Sequence, residues 1–311
     1  MNVSQQSAAT RSLAGPAAPS LRVDFVDRPS ALRFAFVAGV VDAQPVRCAH
    51  LAGPPEPECW QLGADFRVQA QAVTEIDGDI ETAARRAYVA VLAAVRASAQ
   101  PHLVRIWNYL GAINDGAGDN ERYRRFSVGR AAAADAAFNA EPPAATAIGH
   151  DGGAGVLQVV ALCAATPAIA LENPRQTPAW SYPREYGPVS PGFSRGALLD
   201  AGSHAPTLLA SGTASIVGHV SQHVGDVAEQ LRESLRNLDA LLTVGSQRAD
   251  IGFHFERCQA LRVYLRHAHD LPLAQAVIAR SGLPSECVVY LRGDVCRREL
   301  DVEIEGVFGV G

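Results

Sequence analysis

The chain has 311 residues, of which 48% are hydrophobic and 19% charged, and its formal net charge at pH 7 is −5. This length predicts one large or two modest domains, and the composition is typical of a globular protein without a membrane span. The negative charge argues against nucleic-acid and membrane-surface partners, because both favour a basic patch. Residues 1–24 have no continuous apolar signal segment, so we predict a disordered N-terminal segment and a cytoplasmic protein.

Residues 25–170 contain the first of two similar series of predicted elements. Two candidate strands, RFAFVAGV and CWQLGADFRVQA, precede a helix that begins at Asp79, whose carboxylate can cap free backbone N–H groups. Apolar residues follow at helical spacing, and an alternating strand begins near Val104. A second helix over 121–138, then Pro143 and the strand GVLQVVALC, complete a β-β-α-β-α-β pattern.

Residues 171–204 are rich in proline and aromatic residues. The part from Glu172 to Arg195 reads ENPRQTPAWSYPREYGPVSPGFSR, and its prolines exclude a helix interior or a central strand. A flexible linker would be rich in Gly and Ser and poor in aromatic residues. We therefore predict an ordered loop, which either connects domains or binds carboxylates through its arginines.

Residues 205–311 repeat the first pattern. The segment APTLLASGTASIVG predicts a hairpin, a helix begins at Asp226, and the strand LRVYLR, a helix over 273–281, Pro284 and the strand ELDVEIEGVF follow. Strand-helix-strand order predicts crossovers that place helices on one face of a sheet. The fold class is therefore α/β (α+β), with two β-β-α-β-α-β repeats and mixed sheets in one chain. This order resembles the RidA/YjgF fold, in which small-molecule sites lie in clefts between subunits.

The last strand of the second repeat presents carboxylates on one face, at Asp301, Glu303 and Glu305. The face is either solvated or, because the matching strand of the first repeat has no carboxylates, part of a single active cleft. Glu303 lies in mid-strand, and a carboxyl group shielded from water keeps its proton and can act as a general acid. Cys296, seven residues earlier, is either a packing residue or part of the same site.

Other polar positions are candidates for ligand binding. Gly212 lets a ligand approach the backbone closely, and Thr213 offers a hydroxyl group. Arg130 and Arg266 are either surface residues or anion-binding groups, and Arg266 ends a strand, where an anion can reach it. The chain has no Walker motif, no G-x-G-x-x-G fingerprint and no metal-binding Cys/His spacing, so we expect no cofactor and no metal.

Together, several segments resemble the chorismatase family: RIWNYLGAIND with ERYRRFSVGRA, ENPRQTPAWSYPREYGPVSPGFSR, SGTASIVGH and YLRGDVCRRELDVEIEG. Chorismatases have RidA-like folds and release pyruvate from the enolpyruvyl ether of chorismate without a metal or organic cofactor. The resemblance implies that Glu303 is the catalytic acid. It also implies that Arg130, Tyr186 and Arg266 bind the carboxylates and the ring.

The family divides by product. The branch that forms 3-hydroxybenzoate is associated with Gly and Cys at two pocket positions, which the resemblance places at Gly212 and Cys296. We therefore expect chorismate to be converted into 3-hydroxybenzoate and pyruvate, for secondary-metabolite or pigment biosynthesis, by a monomer or small homo-oligomer. The alternatives are hydrolysis to a dihydroxycyclohexadienoate and formation of 4-hydroxybenzoate. More distant ones are a RidA-type enamine or imine deaminase and a non-catalytic binder of small molecules.

Overall fold

The structure is a computed structural model that describes residues 44–46, 58–62, 64–150 and 154–309. The predicted disordered segment 1–24 and the candidate strand RFAFVAGV lie outside the described residues. None of the described helices is both long and apolar enough to cross a membrane.

Fifteen strands and five α-helices make up the described part of the chain. The first repeat contains β1 (Gln44–Val46), β2 (Glu58–Leu62), β3 (Phe66–Thr74), α1 (Ile80–Arg96), β4 (His102–Gly111), α2 (Arg122–Ala133), α3 (Ala136–Ala140), β5 (Ala144–His150) and β6 (Val156–Ala164). The rest of the chain contains β7 (Ile169–Leu171), β8 (Gly196–Leu199), β9 (Thr207–Ala214), β10 (Ile216–Val217), β11 (Val220–Ser221), α4 (Val227–Ala249), β12 (Cys258–Leu265), α5 (Leu271–Ile278), β13 (Val288–Arg292), β14 (Asp294–Val295) and β15 (Val302–Phe308).

The two repeats have the same topology. One sheet has the order β1-β2-β3-β6-β4-β5-β14 and the other the order β13-β12-β15-β9-β8-β7, while β10 and β11 form a small separate sheet. The order β2-β3-β6-β4-β5 therefore matches β8-β9-β15-β12-β13, and in each repeat a single parallel pair joins β4 to β5 or β12 to β13. The predicted fold class and the internal repetition are confirmed.

Each repeat contains one strand more than predicted, so the pattern is β-β-α-β-α-β-β. The additional strands are β5, which follows Pro143, and β13, which follows Pro284 closely. The sequence of β5, AATAIGH, consists mostly of small residues and has no apolar run, so alternation did not reveal it. The predicted loop 171–204 also contains a strand, β8, which pairs with β9 as its antiparallel hairpin partner.

The helices begin as predicted and cover the outer faces of the sheets. The Asp79 carboxylate accepts hydrogen bonds from the N–H groups of Glu81 (3.2 Å) and Thr82 (3.3 Å), and Asp226 caps α4 in the same way. The apolar stripe of α4, which includes Leu231 and Leu238, packs on the second sheet. The single helix predicted over 121–138 is two helices, because the chain is extended at Ala134.

The helix-free faces of the two sheets pack against each other. Val68, Val104 and Leu162 of the first sheet share a buried apolar cluster with Leu199 and Leu209 of the second. The molecule is therefore layered as helices, sheet, sheet and helices. Side chains that point from β15 toward the first repeat consequently lie in the middle of the molecule, away from bulk water.

Candidate active site

A pocket of about 390 Å³ lies between the two repeats. Its walls come from α2, β4 and β5 of the first repeat, from β9 and β15 of the second, from the proline-rich loop (residues 172–195) and from the turn segment (residues 296–301) that precedes β15. Five of the residues predicted from the sequence line it: Arg130, Tyr186, Gly212, Cys296 and Glu303.

Glu303 supplies a buried carboxyl group to this pocket. It lies on β15 between β12 and β9, and only 4% of the residue is exposed. Burial, as the largest cause, and the negative charge of Glu305 together raise the pKa of this carboxyl to about 8, against the opposing charges of Arg105 and Arg195. Within the described part of the chain, no hydrogen bond reaches the Glu303 carboxyl group, so only the charges of Arg105 and Arg195 favour its ionised form, and burial outweighs them. Glu303 therefore carries a proton at neutral pH.

Gly212 faces the Glu303 carboxyl group at an irregularity in β9. Ile304 pairs with Thr213 and Gly306 with Ala210, so β9 has one residue more than β15 over this stretch. A Cβ atom at position 212 would overlap a carboxyl oxygen of Glu303 and lie 2.9 Å from its Cδ. The Glu303 carboxyl can hold its present position only because residue 212 has no side chain.

Two buried guanidinium groups line the pocket without a carboxylate partner. Arg130 on α2 and Arg195 at the end of the proline-rich loop are each 3% exposed. Arg195 donates to the carbonyl oxygen of Thr177 (2.9 Å) and to the Tyr182 hydroxyl (2.7 Å), and its buried Nε has no partner. Neither arginine has an ion pair among the described residues, and a buried charge without one is costly. The pair is therefore suited to an anionic ligand that carries two charges.

Arg195 was not selected from the sequence, although the proline-rich loop was recognised as a place for carboxylate-binding arginines. The loop has three arginines, and only their partners distinguish them. Arg175 is bound to Glu233 (2.5 Å), and the exposed Arg184 is bound to Asp119 (2.6 Å). Arg195 points into the pocket because the chain beyond it enters β8, which is buried in the second sheet.

The outer wall of the pocket consists of aromatic rings that contact one another at an angle and of one further arginine. The guanidinium carbon of Arg297 lies 4.1 Å from the ring centroid of Tyr186 and 5.3 Å from that of Tyr182. Arg297 also donates to the carbonyl oxygen of His219 (2.9 Å) and to the Ser221 hydroxyl (3.0 Å). These contacts join the proline-rich loop, the turn segment and the β10–β11 hairpin, and they fix the position of the Tyr186 ring.

Cys296 lies in the pocket as a neutral thiol. Burial and, to a smaller extent, the nearby Glu303 raise its pKa to about 12. It packs against a small apolar cluster that includes Ala214 and Ile216. A thiol in this state is a poor nucleophile, so the residue can shape the pocket or pass a proton rather than form a covalent bond.

Two predicted residues lie elsewhere. Arg266 does not line the pocket: its guanidinium group donates to the carbonyl oxygens of Val295 (3.1 Å), Arg297 (2.9 Å) and Leu300 (3.0 Å). It thus holds the turn segment rather than a ligand. Thr213 pairs with Ile304 and shares its side of the sheet, which faces the helices, and its hydroxyl donates to the Ser211 carbonyl oxygen (2.9 Å). The structure therefore places neither of these two predicted substrate-binding residues in the pocket.

The pocket combines a neutral acid, two unpaired cations and a polarisable wall. Among the described residues, no group of three or more His, Cys, Asp or Glu side chains could hold a metal ion. The chemistry available from the protein's own side chains is the binding of a dianion followed by proton donation from Glu303.

Comparison with known proteins relates this arrangement to one family. A family model described as the N-terminal part of FkbO/Hyg5-like chorismatases matches residues 57–163. A 3-hydroxybenzoate synthase of Streptomyces hygroscopicus is 36% identical over 240 residues, which are 74% of this chain and 70% of that protein. A chorismatase of Streptomyces rapamycinicus is 34% identical over 270 residues, 83% of this chain and 80% of that protein. A crystal structure of a chorismatase matches 85% of this chain and 80% of its own with a TM-score of 0.76 and 33% identity. The chain belongs to the chorismatase family.

Proposed function

We propose that this protein converts chorismate into 3-hydroxybenzoate and pyruvate. The observation that carries the proposal is the buried Glu303 carboxyl, protonated at neutral pH, in a pocket with two buried arginines that have no carboxylate partner among the described residues. Chorismate has two carboxylates and an enolpyruvyl ether that can accept a proton. The relatives named as a chorismatase and a 3-hydroxybenzoate synthase support the same activity.

Binding is driven by the match between two carboxylates and two guanidinium groups. Arg130 and Arg195 neutralise the dianion, and a guanidinium group can bind a carboxylate through two parallel hydrogen bonds. Arg195 takes the role that the sequence assigned to Arg266. Tyr186 and Arg297 form the wall beside the ligand, so the substrate is held in one orientation relative to Glu303.

The reaction begins with transfer of the Glu303 proton to the methylene carbon of the enolpyruvyl group. A C–H bond forms from the π electrons of the double bond, and positive charge develops on the ether carbon. Glu303 becomes a carboxylate, which the charges of Arg105 and Arg195 stabilise. The enolpyruvyl group has then become a good leaving group, because on departure its ether oxygen becomes the uncharged ketone oxygen of pyruvate, which keeps only its carboxylate charge.

The second step is attack by the neighbouring ring hydroxyl oxygen on the ring carbon that bears the ether. The bond between the ring carbon and the ether oxygen breaks. Its electron pair stays with that oxygen and cancels the positive charge, so that the C=O bond of pyruvate is complete. The hydroxyl proton returns to the Glu303 carboxylate. The resulting epoxide opens, and the ring loses a proton to become 3-hydroxybenzoate. No atom from water enters the aromatic product, so the path depends on the exclusion of water from the pocket.

The alternative products differ either in the nucleophile that attacks the activated ether or in the direction in which the epoxide opens. Water gives a dihydroxycyclohexadienoate, and opening of the epoxide in the other direction gives 4-hydroxybenzoate. Gly212 leaves room for the ring beside the acid, and the neutral thiol of Cys296 packs without admitting an ion. Both features favour the aromatic 3-hydroxy product. A cytoplasmic location and a monomer or small homo-oligomer remain predictions from the sequence.

Glu303→Gln tests the proposal. The amide cannot donate an acidic proton, so we expect pyruvate release to fall by about 10²–10⁴-fold with little change in substrate binding. Chromatography of the products measures pyruvate and 3-hydroxybenzoate, and in D₂O the wild-type pyruvate should carry one solvent deuterium in its methyl group. Glu286→Gln, at an exposed position, is the matched control. If the Glu303→Gln variant keeps most of its activity, or the wild type releases no pyruvate, the proposal is wrong.

A further inference from the structure

A second carboxylate lies behind the acid, out of reach of any ligand in the pocket. Glu305 follows Glu303 by two residues on β15, so the two side chains leave the same face of the strand about 7 Å apart. Glu305 is 2% exposed and does not line the pocket. Five side chains from both repeats donate to it: Arg105 (2.5 Å), Trp107 (3.0 Å), Thr146, Arg262 (2.5 Å) and Tyr264 (2.9 Å).

These donors keep Glu305 ionised. Burial alone would raise the pKa of its carboxyl group, but the guanidinium groups of Arg105 and Arg262 outweigh that effect and lower the pKa below its usual value. Two carboxyl groups on one strand face therefore have opposite states, since Glu303 is neutral and Glu305 is charged. A separation of this kind is typical of acid and base pairs at active sites.

We propose that Glu305 is a positioning residue, a permanent anion held between Arg105 and Arg262 whose negative charge keeps the neighbouring Glu303 carboxyl in its proton-carrying form. This inference rests on the proposed function, in which Glu303 is the acid. Glu305 acts only through Glu303, because it touches no part of the pocket.

The charges around Glu303 determine the direction of the effect. Arg105 on β4 and Arg195 on the proline-rich loop favour its ionised form, and Glu305 opposes them. Arg130 and Tyr123 on α2 and Cys296 on the turn segment also line the pocket. Arg105, Arg262 and Glu305 together carry one net positive charge. Removal of the Glu305 charge would leave two positive charges beside Glu303, whereas removal of the Arg262 charge would leave none.

A geometric link joins the same network to the acid. The Thr146 hydroxyl donates to Glu305 and accepts a hydrogen bond from the Gly212 N–H (2.9 Å). Gly212 is the residue against which the Glu303 carboxyl packs. The anion therefore fixes the backbone that determines the position of the acid, as well as its protonation.

The test is the pH dependence of chorismate turnover in two variants with opposite expected shifts. Glu305→Gln should move the alkaline limb of kcat/KM to lower pH by about 1–3 units, so that activity at pH 7 falls by about twofold for the smallest shift and about a hundredfold for the largest, and recovers in acid. Arg262→Met should move the same limb upward by about one unit. KM should change little in both, because neither residue contacts the ligand. A purely structural role for Glu305 would lower activity at every pH alike.

A second measurement does not depend on turnover. Protonated carboxyl groups give an infrared band, and the part of that band that is lost in Glu303→Gln belongs to Glu303. The pH at which this part disappears reports the ionisation of Glu303 in the resting protein. That midpoint should move to lower pH in Glu305→Gln and to higher pH in Arg262→Met. If Glu305→Gln does not fold, Arg262→Met carries the test alone, since Glu305 keeps its bond to Arg105.

The control is a buried ion pair of the first repeat that does not line the pocket. Glu75 accepts from Arg122 at 2.7 Å, and Glu75→Gln should reduce stability without moving the pH profile. If neither Glu305→Gln nor Arg262→Met moves the titration of Glu303, the inference is wrong while the proposed function stands. If the wild type releases no pyruvate but the infrared titrations move as expected, the proposed function is wrong and the electrostatic coupling stands.

Discussion

Gly212 determines where the carboxyl group of Glu303 can lie. The extra residue in β9 brings its backbone against the carboxyl, at a distance that excludes a Cβ atom. A methyl group at this position must displace either the Glu303 side chain or Thr146, whose hydroxyl lies 3.1 Å from the ideal Cβ site. Thr146 is held by Glu305, so the Glu303 carboxyl is the group that moves.

Gly212→Ala should therefore reduce the formation of 3-hydroxybenzoate by about tenfold or more, equivalent to about 1.4 kcal/mol or more of transition-state stabilisation. The displaced acid is no longer aligned with the methylene carbon, and the ring loses the space beside it. Chromatographic measurement of pyruvate and of each ring product gives the rate and the product ratio. Gly202→Ala, at a position with no atom within 4 Å of the new Cβ, is the matched control. An unchanged rate and product ratio in Gly212→Ala would show that the close approach has no role.

Strand alternation explains which site residues could be predicted from the sequence. It correctly identified the face of β15 that carries Glu303. The same rule also excludes Thr213, because neighbours in a strand point to opposite faces and Gly212 already faces the pocket. The different states of Glu303 and Glu305 could not be predicted, since they depend on arginines from strands more than 40 residues away in the chain.

At the scale of elements, the turn segment owes its shape to Arg266. The guanidinium group of Arg266 donates to two of its carbonyl oxygens and to that of Val295 just before it, and lies 3.2 Å from Asp294 and 3.6 Å from Asp301. The segment has little regular structure of its own, yet it carries Cys296 and Arg297 into the pocket. The position of Arg266 at a strand end predicts an anionic ligand, whereas in the structure its guanidinium group contacts backbone carbonyl oxygens, which leave no pattern in the sequence.

Arg266→Met should loosen the turn segment and leave buried carbonyl oxygens without donors. We expect a loss of roughly 2–4 kcal/mol in the free energy of unfolding, from several hydrogen bonds to a charged group. KM for chorismate should rise, because Arg297 and the Tyr186 ring lose their fixed position. Urea unfolding and steady-state kinetics measure the two effects. The control is Arg292→Met, at an exposed position on β13. A raised KM with wild-type stability would indicate direct substrate binding by Arg266 instead.

Strand β5 has a sequence that does not indicate a strand. In β5 the small residues of AATAIGH are selected by close packing between the two sheets, and they carry neither an apolar run nor a strong β-propensity. The composition of the proline-rich loop predicts an ordered loop. In the structure, Arg195 packs on the ring of Tyr182 and Arg297 on that of Tyr186. Tertiary contacts, which the local sequence does not encode, determine the rest.

At the scale of the molecule, two similar repeats form one asymmetric site. The first repeat supplies Arg130 and the second supplies Glu303, while the loop between them supplies Arg195. Strand β6 of the first repeat corresponds to β15. Its buried positions hold apolar side chains together with Gln158 and Cys163, and none of them is a carboxylate. One repeat therefore carries the acid and the other helps to enclose it, so a single chain can keep the acid dry without a second copy.

This burial has a cost in stability that should appear as a pH dependence. Burial raises the pKa of Glu303 to about 8 and that of Glu172 to about 7, so between about pH 5 and 8 the folded chain holds protons that the unfolded chain has released. The unfolded state then binds fewer protons, and stability falls as pH rises through this window.

Glu303→Gln removes one such group and should be more stable than the wild type by on the order of 3 kcal/mol at pH 8.5, with a smaller difference at pH 5. Urea unfolding at a series of pH values measures this, and Glu172→Gln should give a smaller gain that is complete nearer pH 7, because the Glu172 carboxyl is only partly buried. Parallel stability curves for the wild type and Glu303→Gln would mean that Glu303 is ionised in the folded protein, and it could not then be the acid.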